Sequence, residues 1–598
     1  MTSAPGWGQR PIRVGNCSGF YGDRASAMAD MARAGGIDVL TGDYLAEVTM
    51  LILGKARAKE NTKGYATTFL QHLDAALEHL VANGIRLVVN AGGLNPAGLA
   101  AKTREVIARH GYDLRVSHIE GDDLLGRLDA LQQTGHSLQH LTTGEPLSSW
   151  PHRPLTANAY LGGFGIARAL ANGADIVITG RVADASLVVG SAAWWWSWTP
   201  DNYDALAGAV AAGHVIECGS QATGGNFSGF RAIADLTEPG FPIAEIDADG
   251  SSVITKNKRT GGAVTQDTVT AQLLYEIGEP AYLNPDVTTH LDTANLTDLG
   301  DDRVQIRGVR GSAPPATTKV AITGVGGWEN SVILALTGID LDAKAALVER
   351  SIHRYIDTVD GLDAVAIARI GQAQPDPESQ NAGTELVKIA VQGTKQAAGR
   401  AFSSRMVELA LSSYPGLYVL GPPQSGAEFG VYWPALLDQA LLDHMVHHHD
   451  GTTETIATLN ARGARHEVTQ QRGPSLAQSV QAPGTDELVV ATLGEIVHAR
   501  SGDKGGDANL GVWVRDRQAW EWLESTLTVD ELRRLLPETR ELVISRYELP
   551  NLGAVNFLIR GLLGTGATST LRLDSQAKAL GEWLRSRSAK VPRSFVNI

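Results

Sequence analysis

Ile85-Arg86-Leu87-Val88-Val89-Asn90-Ala91-Gly92-Gly93-Leu94-Asn95-Pro96 decides the fold. A short apolar run ends in a Gly/Asn loop, and Pro96 opens a helical stretch that continues to Arg109. The same strand, loop, helix order recurs on either side. Ile12–Val14 leads into Gly15–Asp23 and a helix-like stretch from Arg24 to Ala34. Ile37–Leu40 leads into Thr41-Gly42-Asp43-Tyr44 and a helix from Leu45. Leu114–Ile119 ends in Glu120–Asp123, and Asp175–Ile178 ends in Thr179–Asp184. Short apolar strands alternating with helices predict an α/β fold with a mainly parallel, doubly wound sheet over residues 11–230. Ligands bind such sheets at the carboxyl ends of their strands, so these loops should share one crevice.

The chain has 598 residues, more than one hydrophobic core organises. Strands become more frequent after residue 230, which reads as a second α/β lobe over 231–450. Residues 451–485, rich in Thr, Gln, Gly and Pro, suit a linker. The last unit, 486–598, reads as a small α+β sandwich with helices over Gln518–Leu536 and Ser575–Ser586. A net charge of −14 gives nucleic-acid binding no help. Two cysteines, Cys17 and Cys218, allow no disulfide framework or CxxC metal site and fit a reducing, cytoplasmic setting. The N-terminal residues lack a signal-peptide core, and no apolar run reaches the ~18–20 residues of a membrane span. The Trp194-Trp195-Trp196-Ser197-Trp198 cluster reads as buried packing or a subunit contact. His447-His448-His449 looks like a metal cluster, but adjacent residues on a helix diverge, so a solvated helix face is the better reading.

The P-loop, HExxH, EF-hand and GxSxG signatures are absent, and near misses to GxGxxG lack a following ribose-binding acid. The chemistry therefore rests on the loops. Gly15–Asp23, with Gly19 at its centre, suits a phosphate or carboxylate at a helix start. Cys17 there is a weak candidate nucleophile, since no His lies near it in sequence. Asp43 and Glu47, four apart at a helix start, suit an acid/base pair or hard-metal ligands, with capping as the competitor for Asp43. Asn90, Gly92, Gly93 and Asn95 offer donors for an oxyanion or a thioester carbonyl. Arg181 can clamp an anion, and Asp184 can orient it or act as a base, with a structural ion pair as the alternative. Glu217–Gly229 presents Glu217 as an acid or base beside Asn226. Lys256–Gly262 is a basic turn fit for a phosphorylated handle such as that of coenzyme A. Ala499-Arg500-Ser501-Gly502-Asp503-Lys504-Gly505-Gly506-Asp507-Ala508-Asn509 reads as a long Gly-rich loop between two strands. Arg500, Asp503 and Lys504 are expected to face the crevice of the main body.

In this order the loops resemble the acyclic terpene utilisation A (AtuA) family. The matching stretches are Gly15–Asp23, Thr41–Glu47, Asn90–Pro96, Thr179–Asp184, Glu217–Gly229 and Lys256–Gly262. The C-terminal unit, with His498–Gly505 as its hallmark, resembles the ferredoxin-fold domain associated with that family. The resemblance implies catabolism of acyclic terpenoids through acyl-CoA intermediates, and carries no assigned catalytic residues. The leading expectation is a lyase or hydratase acting on a branched acid or acyl-CoA, with Asp43, Glu47, Asp184, Glu217, Asp503 and Lys504 supplying acid–base chemistry. Gly19, Asn90, Gly92, Gly93, Asn95, Arg181, Asn226, Lys256 and Arg500 would bind substrate. No cofactor or metal is required by the sequence, and a CoA thioester is a possible substrate handle. The partners expected are a small-molecule substrate and further copies of the chain, with no nucleic acid and no membrane. The alternatives are a non-catalytic acyl-CoA-binding scaffold and a metal-dependent hydrolase.

Overall fold

Five short strands form the centre of an eleven-stranded sheet in the computed structural model, which describes residues 7–422, 424–457 and 487–596. They are β1 (Ile12–Asn16), β2 (Val39–Gly42), β3 (Arg86–Val89), β4 (Val116–Glu120) and, after β5 (Pro154–Ala159), β6 (Ile176–Thr179). Their order is β1-β2-β3-β6-β4, every pairing parallel. β2 and β6 are buried along their whole length, as strands covered on both faces must be. One face packs against helices Ala27–Ala34, Thr68–Asn83 and Pro96–Arg109, the other against Phe164–Ala171, Ser186–Trp196 and Tyr203–Ile216. Trp195 is fully buried there and donates its indole N–H to Arg10 O (2.9 Å), so the tryptophan cluster is packing.

The sheet continues past residue 230. β7 (Pro242–Ile246) adds antiparallel to β1, followed by β8 (Ser252–Lys256), Val304–Arg307 and Asn295–Asp298. On the other edge Met445–His447 adds antiparallel to β4, followed by Thr453–Thr455. A boundary at 230 would therefore cut through one sheet. The second lobe is built on Thr317–Thr337, a single 21-residue strand. It pairs antiparallel with Ala427–Asp438, with Thr384–Gly393 and, in its first half, with β5. Helices Leu341–Ile356 and Phe402–Ser412 cover this sheet through Val348, Ile352, Phe402 and Met406. The lobe is thus a mixed layer of helices on an antiparallel sheet. β5, which belongs by sequence to the first domain, is stitched into it.

Residues 453–455 are strand rather than linker, and the remainder of that segment, 458–485, lies outside the described residues. The C-terminal unit has a four-stranded antiparallel sheet in the order His498–Lys504, Asp507–Trp513, Ala554–Ile559, Ile544–Leu549, and a second antiparallel pair, Leu488–Thr492 with Ser588–Pro592. Its helices are Arg517–Thr526, Val529–Leu535 and Leu580–Arg585, shorter than the sequence suggested. The expected Gly-rich loop is itself hairpin strand, turning at Gly505-Gly506 only. Its glycines serve close approach instead. A Cβ at Gly502 would meet the Tyr275 ring at 2.5 Å, and one at Gly511 would meet Leu274 at 2.7 Å.

Candidate active site

The carboxyl ends of β2, β3 and β6 converge. Asp43, just past β2, is buried and accepts from Asn90 Nδ2 (2.5 Å) and Leu45 N (3.0 Å). Asn90 Oδ1 in turn accepts from Tyr44 N (2.7 Å). Arg181, past β6, donates to Leu45 O (3.2 Å), Asp184 Oδ1 (2.6 Å) and the Tyr160 hydroxyl (2.8 Å), with its guanidinium 4.2 Å from the Tyr160 ring centre. Tyr160 directly follows β5, so the stitch between lobes delivers it. Lys319, on the long strand, donates to Glu47 Oε1 at 3.3 Å and lies near the rings of Tyr160 and Tyr432.

The segment after helix Gln266–Leu273 and the C-terminal unit add further walls. Lys504 Nζ donates to Glu276 O (3.0 Å), and Lys578 Nζ lies 3.7 Å from Glu276 Oε1 and bonds the Tyr275 hydroxyl. Asn509 and Asn556, both fully buried, hold the backbone of residues 274–278. Side chains of Glu47, Asp184, Lys319 and Glu276 keep 28, 32, 33 and 42 % of their surface accessible. Desolvation nevertheless leads the influences on Glu47, Asp184, Lys319 and Lys504. These partly accessible yet strongly desolvated groups lie together where the lobes meet, and that meeting place is the candidate recess.

The recess sorts its acids. Desolvation pulls Glu47 upward, but Lys319 and Arg181 outweigh it and hold it at about 2. Desolvation, then the nearby Asp184 charge, pushes Asp43 and Glu217 well above the usual carboxylate range. Asp503 is raised to about 7 by desolvation and then by Glu276 and Glu47. His214 Nδ1 sits 3.2 Å from Glu217 Oε1, and burial lowers that imidazole to about 4, so it is neutral. Glu217 Oε2 is buried without a hydrogen-bond partner. A raised folded value means that the fold favours the protonated acid. Asp503 therefore contributes stability that is fully present only below its ordinary value of 3.8 and is lost as pH rises from there to about 7. Asparagine mimics the protonated acid, so the stability of wild type relative to Asp503→Asn should fall across that window and level off above it. Chemical denaturation of both proteins from pH 4 to 8 measures this, and a constant difference would contradict it.

A family model described as acyclic terpene utilisation family protein AtuA matches residues 12–448, and the AtuA ferredoxin-like domain matches residues 491–590. The chain belongs to the AtuA family. No curated protein matches the sequence significantly. The recess lies where the AtuA body meets its ferredoxin-like domain.

Of the sequence candidates, Asp43, Glu47, Arg181, Asp184, Glu217, Asp503 and Lys504 come together in this part of the AtuA body and its C-terminal partner. The others have different duties. Asn90 spends its amide on Asp43 and Tyr44 N, and Gly93 N donates to Asn90 O (3.2 Å), so neither is a free oxyanion donor. Gly92 packs so tightly that a Cβ would meet Thr179 O at 2.5 Å. Asn95 caps helix Pro96–Arg109 through Gly98 N. Gly19 packs on the Cys218 backbone. Lys256 is buried and spends its ammonium on Asp302 (3.1 Å) and Thr260 O, far from a phosphate-handle role. Arg500 is buried over the Tyr275 ring, bound to Asn226 O and Gln221, so it and Asn226 clamp the domain junction.

Tyr160, Lys319, Tyr432, Tyr275, Glu276, Lys578 and His214 were not singled out from sequence. A lone lysine in the otherwise uncharged run Thr317–Val325 was the one available signal. Burial pushes both thiols above their ordinary range, with Asp23 adding to Cys17 and Glu217 to Cys218. Neither is a thiolate at neutral pH. Cys17→Ser and Cys218→Ser should each keep most of the ligand affinity, and iodoacetamide should label the native protein slowly. Rapid labelling of Cys17 that abolishes binding would contradict this.

Proposed function

We propose that this AtuA-family chain is an acid–base enzyme of branched or terpenoid acid catabolism, a hydro-lyase or related lyase acting on an acyl-CoA or the corresponding free acid. The observation that carries the reading is the charge cluster between the lobes, in which Arg181, Lys319 and Lys504 lie among an ionised Glu47 and acids pushed toward their protonated forms. Lys319, one third accessible, is suited to steady the oxygen of an enolate formed next to the carbonyl, with Arg181 fixing Asp184 beside it. Asp503, poised at about 7, has the proton affinity of an efficient base at neutral pH. Glu217, kept protonated, with one oxygen unpartnered, is suited to protonate a departing hydroxyl. The buried Lys256 removes the sequence-based handle for the CoA phosphates, so the recognised part would be the acyl end. No helix among the described residues is long and apolar enough to cross a membrane.

The test is a turnover assay on hydroxyacyl-CoA and enoyl-CoA panels beside the free acids. Glu217→Gln should retain ligand binding by calorimetry and lose turnover by about 10²–10⁴-fold. The pH profile should show a limb near 7 that disappears in Asp503→Asn. Ligand binding without turnover on any panel member would favour the non-catalytic scaffold instead.

A further inference from the structure

We propose that His118, Glu120 and His447 form a binding site for a divalent transition-metal ion, best matched by zinc, at the edge of the main sheet. The register of β4 against Met445–His447 sets His118 opposite His447, and His118 and Glu120, two apart on β4, point to the same face. One donor atom from each residue lies within 4.8 Å of the other two. The two imidazoles stack with centroids 4.5 Å apart and planes 6° from parallel. Glu120 reaches both, Oε1 at 3.7 Å from His118 Nε2 and Oε2 at 3.3 Å from His447 Nε2. His118 Nδ1 and His447 Nε2 are buried and make no hydrogen bond. Buried polar nitrogens without partners are uncommon, and here they sit beside a carboxylate in a cluster of ligand-type side chains.

Two imidazoles and one carboxylate are a ligand set for borderline divalent ions, zinc above all in a tetrahedral geometry. Zinc bonds of about 2.0–2.2 Å require donors about 3.3 Å apart. Side-chain rotation supplies the contraction, because Glu120 and His447 are 40 and 30 % exposed. Arg104, from the helix packed on β4, donates to Val116 O (2.8 Å). The run His447-His448-His449 thus acquires a role through strand geometry rather than through its own spacing. His448 turns instead to Glu454 at 3.3 Å, and His449 N donates to Ser117 Oγ. An ion at this site would clip the strand that closes the body to a strand laid down more than three hundred residues earlier.

The test uses the full chain, stripped with chelator and titrated with zinc chloride alone. Wild type should bind one equivalent, and its melting temperature should rise by several degrees. Cobalt(II) in place of zinc should give the intense visible absorption of a four-coordinate ion. His118→Ala and Glu120→Gln should each weaken binding at least ten-fold and abolish the cobalt signal, while His449→Ala should leave both unchanged. Glu120→Gln keeps the question decidable if His118→Ala fails to fold. No binding by wild type overturns the proposal. So does binding unaltered by His118→Ala and Glu120→Gln, which would mark loose capture by surface histidines. Destabilisation by Glu120→Gln with no zinc response in wild type would assign the cluster to a plain His447–Glu120 ion pair.

Discussion

Arg181→Ala is expected to destabilise the protein by about 3–5 kcal/mol and to abolish ligand binding. The guanidinium is only 3 % exposed and holds Asp184, the Tyr160 hydroxyl and Leu45 O at once. Its charge also acts on Asp43 and Glu47. Removing it leaves a cluster of buried carboxylates with one fewer counter-charge, which is the costly way to break a buried ion pair. From sequence, Arg181 reads either as a clamp for an anion or as half of a structural ion pair with Asp184. The burial and the three protein partners favour the structural ion pair. Arg181→Lys should recover part of the stability, because it keeps the charge but not the fork. Denaturant midpoints for the three proteins decide the matter, and an unchanged midpoint for Arg181→Ala would sink the account.

Deleting residues 487–598 should eliminate turnover and leave the body poorly soluble. Asp503, Lys504 and Lys578 leave with the segment, so the recess loses a wall. The junction is also part of the body's core. Trp513 is 1 % exposed, donates to Asp267 Oδ1 (3.1 Å) and packs beside His498 and Phe227. Truncating one such buried aromatic costs about 3–5 kcal/mol. Leu274 and Ile277 on the body would be exposed as well. Co-expression of the deleted unit as a separate chain should restore solubility and activity together. A truncated body that stays folded, monomeric and active would refute both the site and the junction.

The sequence was most legible where side-chain pattern and backbone role coincide. All five parallel strands and the small C-terminal unit were readable, because apolar runs bounded by Gly/Asn loops have few other uses. The reading failed where tertiary pairing chose the partner. β7 and β8 join the first sheet from beyond the expected boundary, and nothing local distinguishes them from strands of another lobe. Half of the recess was legible, since Asp43, Arg181 and Asp184 sit on loops, and Glu47 and Glu217 at helix ends beside such loops, that announce themselves. Lys319 and Tyr432 sit in strands, where an alternating pattern hides them. The Asn90–Pro96 loop misled in the opposite sense. Its unusual composition reflects a turn packed against Thr179 O and a helix cap at Asn95, and its one tie to the site is the amide that holds Asp43.

β5 has a consequence for how the chain is made. Thr156 faces Thr323 across the ladder, their hydroxyls 2.6 Å apart, yet the two lie 167 residues apart in the chain. At about 5–20 residues per second, a ribosome needs roughly ten to thirty seconds to produce the second after the first. Throughout that interval the nascent protein carries an apolar strand whose hydrogen-bonding edge has no mate, flanked by strands already able to assemble. A chaperone acting during synthesis is therefore expected to raise the yield of this protein more than one supplied after release.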